Sequence, residues 1–153
     1  MRASGSEQRA PSPDEPVAWT ARFAVVRLHS FTDGTLRLYY EPRPGAPTTT
    51  EGLDVRPLFE VLPGLRRHRC DNGRHRSFFD EARRTELAHL LEHVLIELLA
   101  TRGQARARIR GATNLDEAPA RYRVKVSGWT SSAQAGECIE KALLLLERPK
   151  LCV

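Results

Sequence analysis

The sequence predicts an α+β fold: a single domain with a largely antiparallel sheet covered on one face by two main amphipathic helices. Three observations carry that expectation. Segments on both sides of the chain's middle alternate apolar and polar residues, one long central run places apolar residues at steps of three and four, and a second such run lies near the C-terminus. A length of 153 residues suits one hydrophobic core and is short for two. A sheet with one apolar face needs a cover, and two helices with apolar stripes supply it.

Taken in order, residues 1–16 combine Ser, Gly, Pro and charge without a periodic apolar residue, so they are expected to form a flexible tail before a domain spanning 17–150. Ala18 to Leu28 and Thr35 to Tyr40 favour strands, and Thr32-Asp33-Gly34 between them supplies a turn, which together read as a β-hairpin. Residues 42–50 hold three prolines, one glycine and a run of threonines, the composition of an extended loop. A short helix is expected around Val55 to Val61, ending before Pro63-Gly64. Leu65 to Ser77 is poor in apolar residues and reads as a loop carrying His68, Cys70 and His75.

Ser77 followed by Asp80 resembles a capping box, so one long helix is expected from about Phe78 to Thr101, with Gly103 as its stop. Its apolar stripe is Leu87, Leu90, Leu91, Val94, Leu95, Leu98 and Leu99. Beyond it, Arg106, Arg108 and Arg110 share a face of one expected strand, and Arg121, Arg123 and Lys125 lie opposite Tyr122, Val124 and Val126 in the next. Ser131 or Ser132 can cap a last helix reaching about Glu147, with Ala135, Cys138, Ile139, Ala142, Leu143 and Leu146 on its apolar face.

Composition narrows the function classes. The longest apolar run, Ala142 to Leu146, is far below the roughly 20 residues of a membrane span, and no signal-peptide core is present, so a soluble cytoplasmic protein is expected. Three cysteines, Cys70, Cys138 and Cys152, are an odd number without CxxC spacing and are expected to be reduced thiols. A net charge of +5 and a pI near 9.6 attract nucleic acid, anionic membranes or acidic polymers without choosing among them. Zinc-finger spacing and RNP-like aromatics are missing, and Tyr39, Tyr40, Tyr122 and Trp129 are scattered, which argues against nucleic acid as the partner. Neither a phosphate-binding glycine loop nor a GxSxG elbow occurs. The arginine-rich strand faces can bind an anionic chain or can simply be solvated.

The chemistry-bearing segment is His89-Leu90-Leu91-Glu92-His93. On a helix His89, His93 and Glu97 fall on one stripe at i, i+4 and i+8, with Glu86 beside them and Glu92 on the flank. Two imidazoles can then reach one ion, and a catalytic zinc site uses three protein ligands plus a water whose pKa falls towards about 7. His89, His93 and Glu97 are the candidate ligands, and Glu92 is placed to take the proton of the metal-bound water. The order HxxEH is itself a metallopeptidase signature. The alternative is a solvated stripe opposite the leucines, although Ile96 and Ala100 interrupt its polarity.

The run Leu62-Pro63-Gly64-Leu65, then His68, Cys70, Phe78, and Leu87-Ala88-His89-Leu90-Leu91-Glu92-His93-Val94 with Glu97-Leu98, resembles the N-terminal domain of cyanophycin synthetases. The likeness covers roughly residues 55–147. It implies contact with a polymer of aspartate bearing arginine side groups and, as in some members, metal-dependent hydrolysis of that polymer to make primers. His89 and His93 are then implied as metal ligands and Glu92 as catalytic base. Glu97 is implied as a third ligand or as a group that orients a histidine. The ATP-grasp and Mur-ligase-like domains of the synthetases do not fit in this length, so ligation is not expected. Arg76-Ser77-Phe78 stands where the family usually has Gly-Gly-Phe, Ser127 near a usual glutamate, and Arg110-Gly111-Ala112-Thr113-Asn114 only loosely echoes a Gly-x-Thr-Arg segment.

The expected function is therefore a zinc-dependent hydrolase of a peptide or isopeptide bond, acting on a cyanophycin-like or other charged peptide. The alternative is a non-catalytic peptide-binding or accessory module for a separately encoded ATP-dependent peptide ligase. A peptide or polypeptide substrate is the expected partner, a homo-oligomer is left open, and no membrane partner is expected.

Overall fold

The computed structural model describes residues 17–70, 77–115 and 121–147. Five strands, β1 (Ala18–Thr20), β2 (Ala24–Thr32), β3 (Thr35–Pro42), β4 (Arg110–Leu115) and β5 (Tyr122–Ser127), form one sheet of order β1-β2-β3-β5-β4. Every neighbouring pair is antiparallel. The helices are α1 (Arg56–Val61), α2 (Phe78–Glu81), α3 (Leu87–Thr101) and α4 (Ser132–Leu146). Val26, Leu36, Leu38, Tyr40, Val124 and Val126 point from the three central strands into the core, where α3 packs against α4, β4 and β5. No helix of the described residues is long and apolar enough to cross a membrane.

Local chemistry explains the central hairpin. Asp33 (φ 51°) and Gly34 (φ 70°) are both left-handed, as a two-residue turn matched to strand twist requires. A Cβ on Gly34 would also lie 2.7 Å from the Trp129 carbonyl oxygen, so the turn seats the β5–α4 connection as well. The expected strand from Ala18 to Leu28 is two strands: the chain bends after Thr20, where the Ala21 amide donates to the Ala24 carbonyl at 2.9 Å. At the other end, α4 has the expected apolar face, and the Ser131 hydroxyl accepts from the Gln134 amide at 3.1 Å.

The expected helix from Phe78 to Thr101 is instead α2 and α3, separated by an extended segment at Thr85 and Glu86. Ser77 does cap the first piece, accepting from the Phe79 amide at 3.2 Å. The break is made by the proline-rich loop. The Thr50 amide donates to the Thr85 carbonyl at 2.8 Å, the Thr85 amide to the Thr50 hydroxyl at 3.0 Å, and the Leu87 amide to the Thr48 carbonyl at 2.9 Å. These bonds take the groups a continuous helix would have paired internally.

The expected strand through Arg106, Arg108 and Arg110 is also corrected: Arg106–Arg108 is a 3-10 turn and β4 begins at Arg110. The expected β5 alternation is observed, with Val124 and Val126 buried and Arg123 and Lys125 exposed. The expected tail, His75 and Arg76 lie outside the described residues.

Thr50 is buried, and its hydroxyl is the acceptor for the buried Thr85 amide. Thr50→Val should therefore cost about 1–3 kcal/mol, the penalty for stranding a buried donor, measured as a lower urea midpoint at unchanged slope. An unchanged midpoint would mean that this contact does not set the helix break.

Candidate metal centre

Two segments build the site. After α1, a 3-10 turn over Pro63–Arg67 delivers His68, whose amide donates to the Leu65 carbonyl at 3.2 Å. The chain then runs extended, tied by the Phe78 amide to the His68 carbonyl at 2.9 Å, so His68 and Cys70, two residues apart, both reach α3. On α3 the i, i+4 spacing stacks His89 and His93. Phe78 lies flat against His93, with 3.8 Å between centroids and 13° between planes, which holds that imidazole in one orientation.

Three donor atoms converge. His89 Nε2 and His93 Nε2 are 3.1 Å apart, and Cys70 Sγ is 3.7 Å from the first and 3.4 Å from the second. Among the described residues, these three form the group able to hold a metal ion. An ion in tetrahedral geometry, about 2.0–2.1 Å from nitrogen and about 2.3 Å from sulfur, separates two nitrogens by about 3.3–3.4 Å and nitrogen from sulfur by about 3.6 Å. The observed spacings match, and three protein donors leave a fourth position open.

The other ring nitrogens are engaged as such a site requires. With both Nε2 lone pairs turned to the cluster, each ring carries its proton on Nδ1. His89 Nδ1 then donates to Thr85 Oγ1 at 2.8 Å. His93 Nδ1 donates to His68 Nδ1 at 2.9 Å, which leaves the His68 proton on Nε2 to donate to Glu97 Oε2 at 2.7 Å. Glu97 also accepts from both terminal nitrogens of Arg106, at 2.8 and 3.0 Å. A directional chain from Arg106 through Glu97 and His68 to His93 thus sets the tautomer of a donor imidazole.

Electrostatics agree with this assignment. Burial, with His89 and His68 nearby, pushes the His93 pKa down to about 2, so the ring is neutral. Burial likewise lowers His68, with Glu97 opposing. For Glu97 burial acts upwards, but the hydrogen bonds from Arg106 and His68 outweigh it and hold the carboxyl below its usual range. Burial, helped by Glu81 and Glu92, pushes the Cys70 thiol up to about 12. A bound cation reverses that preference, because the thiolate is the binding form.

Glu92 faces the same cleft from the flank of α3. Burial raises its pKa to about 7 against the opposing effect of the Thr113 hydroxyl, which donates to it at 2.5 Å. Gly111 permits the approach of β4, since a Cβ there would sit 2.6 Å from Glu92 Oε1. Gly64 does the same for Glu97, where a Cβ would fall 1.8 Å from Oε1. The cleft holds about 810 Å³, with Cys70, His89, Glu92 and His93 among its lining and Arg67, Arg69, Arg106 and Arg110 also along it.

Of the residues expected from sequence, His89 and His93 meet and Glu92 joins them on the cleft. Glu97 is placed elsewhere, bound to His68 and Arg106, and Glu86 is the residue before the first turn of α3. Cys70 was not among the expected ligands. Its signal was the His68-Arg69-Cys70 spacing, which in an extended segment puts both side chains on one side. The solvated-stripe alternative does not hold for Glu92, His93 and Glu97, which are all buried. Ser127 pairs with Arg110 and Thr35 at the end of β5, outside the cleft lining.

Because Glu97 acts on the cluster through His68 and His93, Glu97→Gln should weaken zinc affinity about 10–100-fold in a chelator competition while the stoichiometry is retained. Unchanged affinity would show that the chain from Arg106 does not act on the cluster.

A comparison with curated proteins found no match. The family model of the cyanophycin synthase-like N-terminal domain matches residues 44–148, a span that holds every residue of the cluster and of its hydrogen-bonded support and begins after β3. The chain belongs to the cyanophycin synthase-like N-terminal domain family.

Proposed function

We propose that this protein is a metal-dependent hydrolase of a peptide or isopeptide bond, with a cyanophycin-like or other charged peptide as substrate. The observation that carries the reading is the convergence on one cleft of three donor atoms in tetrahedral spacing and a buried carboxyl, Glu92. Zinc suits a thiolate and two imidazoles, and when bound it would polarise a carbonyl and acidify a water at its open position.

The chain's own residues would do the remainder. Cys70, His89 and His93 hold the ion, and Thr85 and His68 fix the two imidazoles. Glu92 takes a proton from the attacking water and returns it to the departing amine nitrogen, a role open to a carboxylate that faces the same cleft. Thr113 keeps the carboxylate in place between those two transfers. The arginines along the cleft are suited to carboxylates of a charged substrate. The family adds weight, since hydrolysis of the polymer is what the resemblance implies for some of its members.

Glu92→Gln keeps the shape of the side chain and removes the base. It should lower hydrolysis of soluble cyanophycin, or of β-aspartyl-arginine peptides, by about 10²–10⁴-fold with zinc content unchanged. Full turnover in that variant would remove Glu92 from the mechanism. A zinc-loaded wild type that cleaves no such peptide would overturn the hydrolase reading and favour an accessory module.

A further inference from the structure

The sheet has a second face, turned away from α3 and α4, and its residues are read directly from the strand register. Arg37 on β3 lies opposite Lys125 on β5, and Tyr39 opposite Arg123; Asn114 on β4 continues the second row. All alternate with the core residues Leu36, Leu38, Val124 and Val126, so they project from the side of the sheet opposite the metal cluster. A groove of about 310 Å³ runs there, lined among others by His29, Arg37, Tyr39, Asn114, Arg123 and Lys125. Among the described strand residues of this face Glu41 is the acidic one, and Arg27 binds it at 3.0 Å.

We propose that this open sheet face is a second, non-catalytic binding site whose occupant is an extended acidic polypeptide. Like charges placed directly opposite each other across strands, as Arg37 and Lys125 are, destabilise a sheet, and an anion between them reverses that effect. Arg123 and Lys125 stand two residues apart on β5, a spacing of about 6.6–6.8 Å. An extended peptide with a carboxylate at every second residue has the same repeat, so successive carboxylates meet successive cations. Asn114 adds an amide able to donate to or accept from a peptide backbone.

The aromatic groups argue against nucleic acid in this groove. The Arg121 guanidinium lies over the Tyr39 ring at 4.2 Å, and His29 is tilted against the same ring with centroids 5.0 Å apart. The ring is already in use, whereas sequence-tolerant binding of single strands relies on aromatic faces open to bases. The site does not depend on the hydrolase reading, because none of the residues that line the groove lines the metal cleft.

The test uses the whole chain and fluorescence anisotropy with a labelled peptide of alternating aspartate and serine. Saturable, salt-sensitive binding is expected, weakened about tenfold or more by Arg37→Ala/Arg123→Ala/Lys125→Ala and unaffected by Arg83→Ala/Arg84→Ala, two exposed arginines outside both groove and cleft. Thermal unfolding checks that the triple variant is folded; if it is not, Lys125→Glu alone should produce the same direction of change. Absence of saturable binding, binding that the folded triple variant keeps, or an equal loss in the Arg83→Ala/Arg84→Ala variant overturns the proposal. Tighter binding of an oligothymidylate of equal charge at the same salt also overturns it, by assigning the face to nucleic acid.

Discussion

The buried carboxylate of Glu97 is the constraint on which the site depends. A carboxylate inside a protein is costly unless its oxygens are fully engaged, and here the fork of Arg106 and the ring of His68 engage them. Three features of the chain follow from that arrangement. Gly64 must lack a side chain so that the carboxylate can reach its partners, Arg106 leaves the expected strand for a 3-10 turn, and His68 is held with its Nδ1 towards His93. A structural ion pair at one end of the chain thus becomes an imidazole tautomer at the other.

A second requirement fixes where α3 begins. The loop carrying Thr48 and Thr50 captures the backbone at Thr85 and Leu87, and Thr85 in turn receives the Nδ1 proton of His89. The first imidazole is therefore oriented by the helix start and the second by the Glu97 network. From the other side, β4 places Thr113 against Glu92, with Gly111 making the close approach feasible. The loop and the Glu97 network thus each fix one imidazole of the cluster, and the strand fixes the neighbouring Glu92, as preorganised chemistry requires.

Much of this fold was legible because it is periodic. The apolar stripes of α3 and α4 and the alternation along β5 depend only on side-chain direction, and the expected residues are buried, save Tyr122 at the start of β5, which is half-buried. The i, i+4 histidines were legible for the same reason. The break at Thr85 was not, because it is enforced by threonines some 35 positions earlier in sequence and Arg84-Thr85-Glu86 contains no breaker of its own. For Glu97 the stripe left two roles, ligand or orienter of a histidine, and the geometry agrees with the second, because a carboxylate's partner is decided by which cation arrives and Arg106 comes from beyond the helix. Cys70 reaches the cluster only because the segment after His68 is extended, a conformation that its Arg- and His-rich composition did not announce.

Cys70, His89 and His93 are placed to hold one ion in a tetrahedral site with an open position. Cobalt substitution tests it most directly, because the electronic spectrum reports both coordination geometry and sulfur ligation. Intense tetrahedral d–d bands with a thiolate-to-cobalt charge-transfer band are expected, the latter lost in Cys70→Ser. A weak octahedral spectrum without charge transfer, or one unaltered by Cys70→Ser, would contradict it.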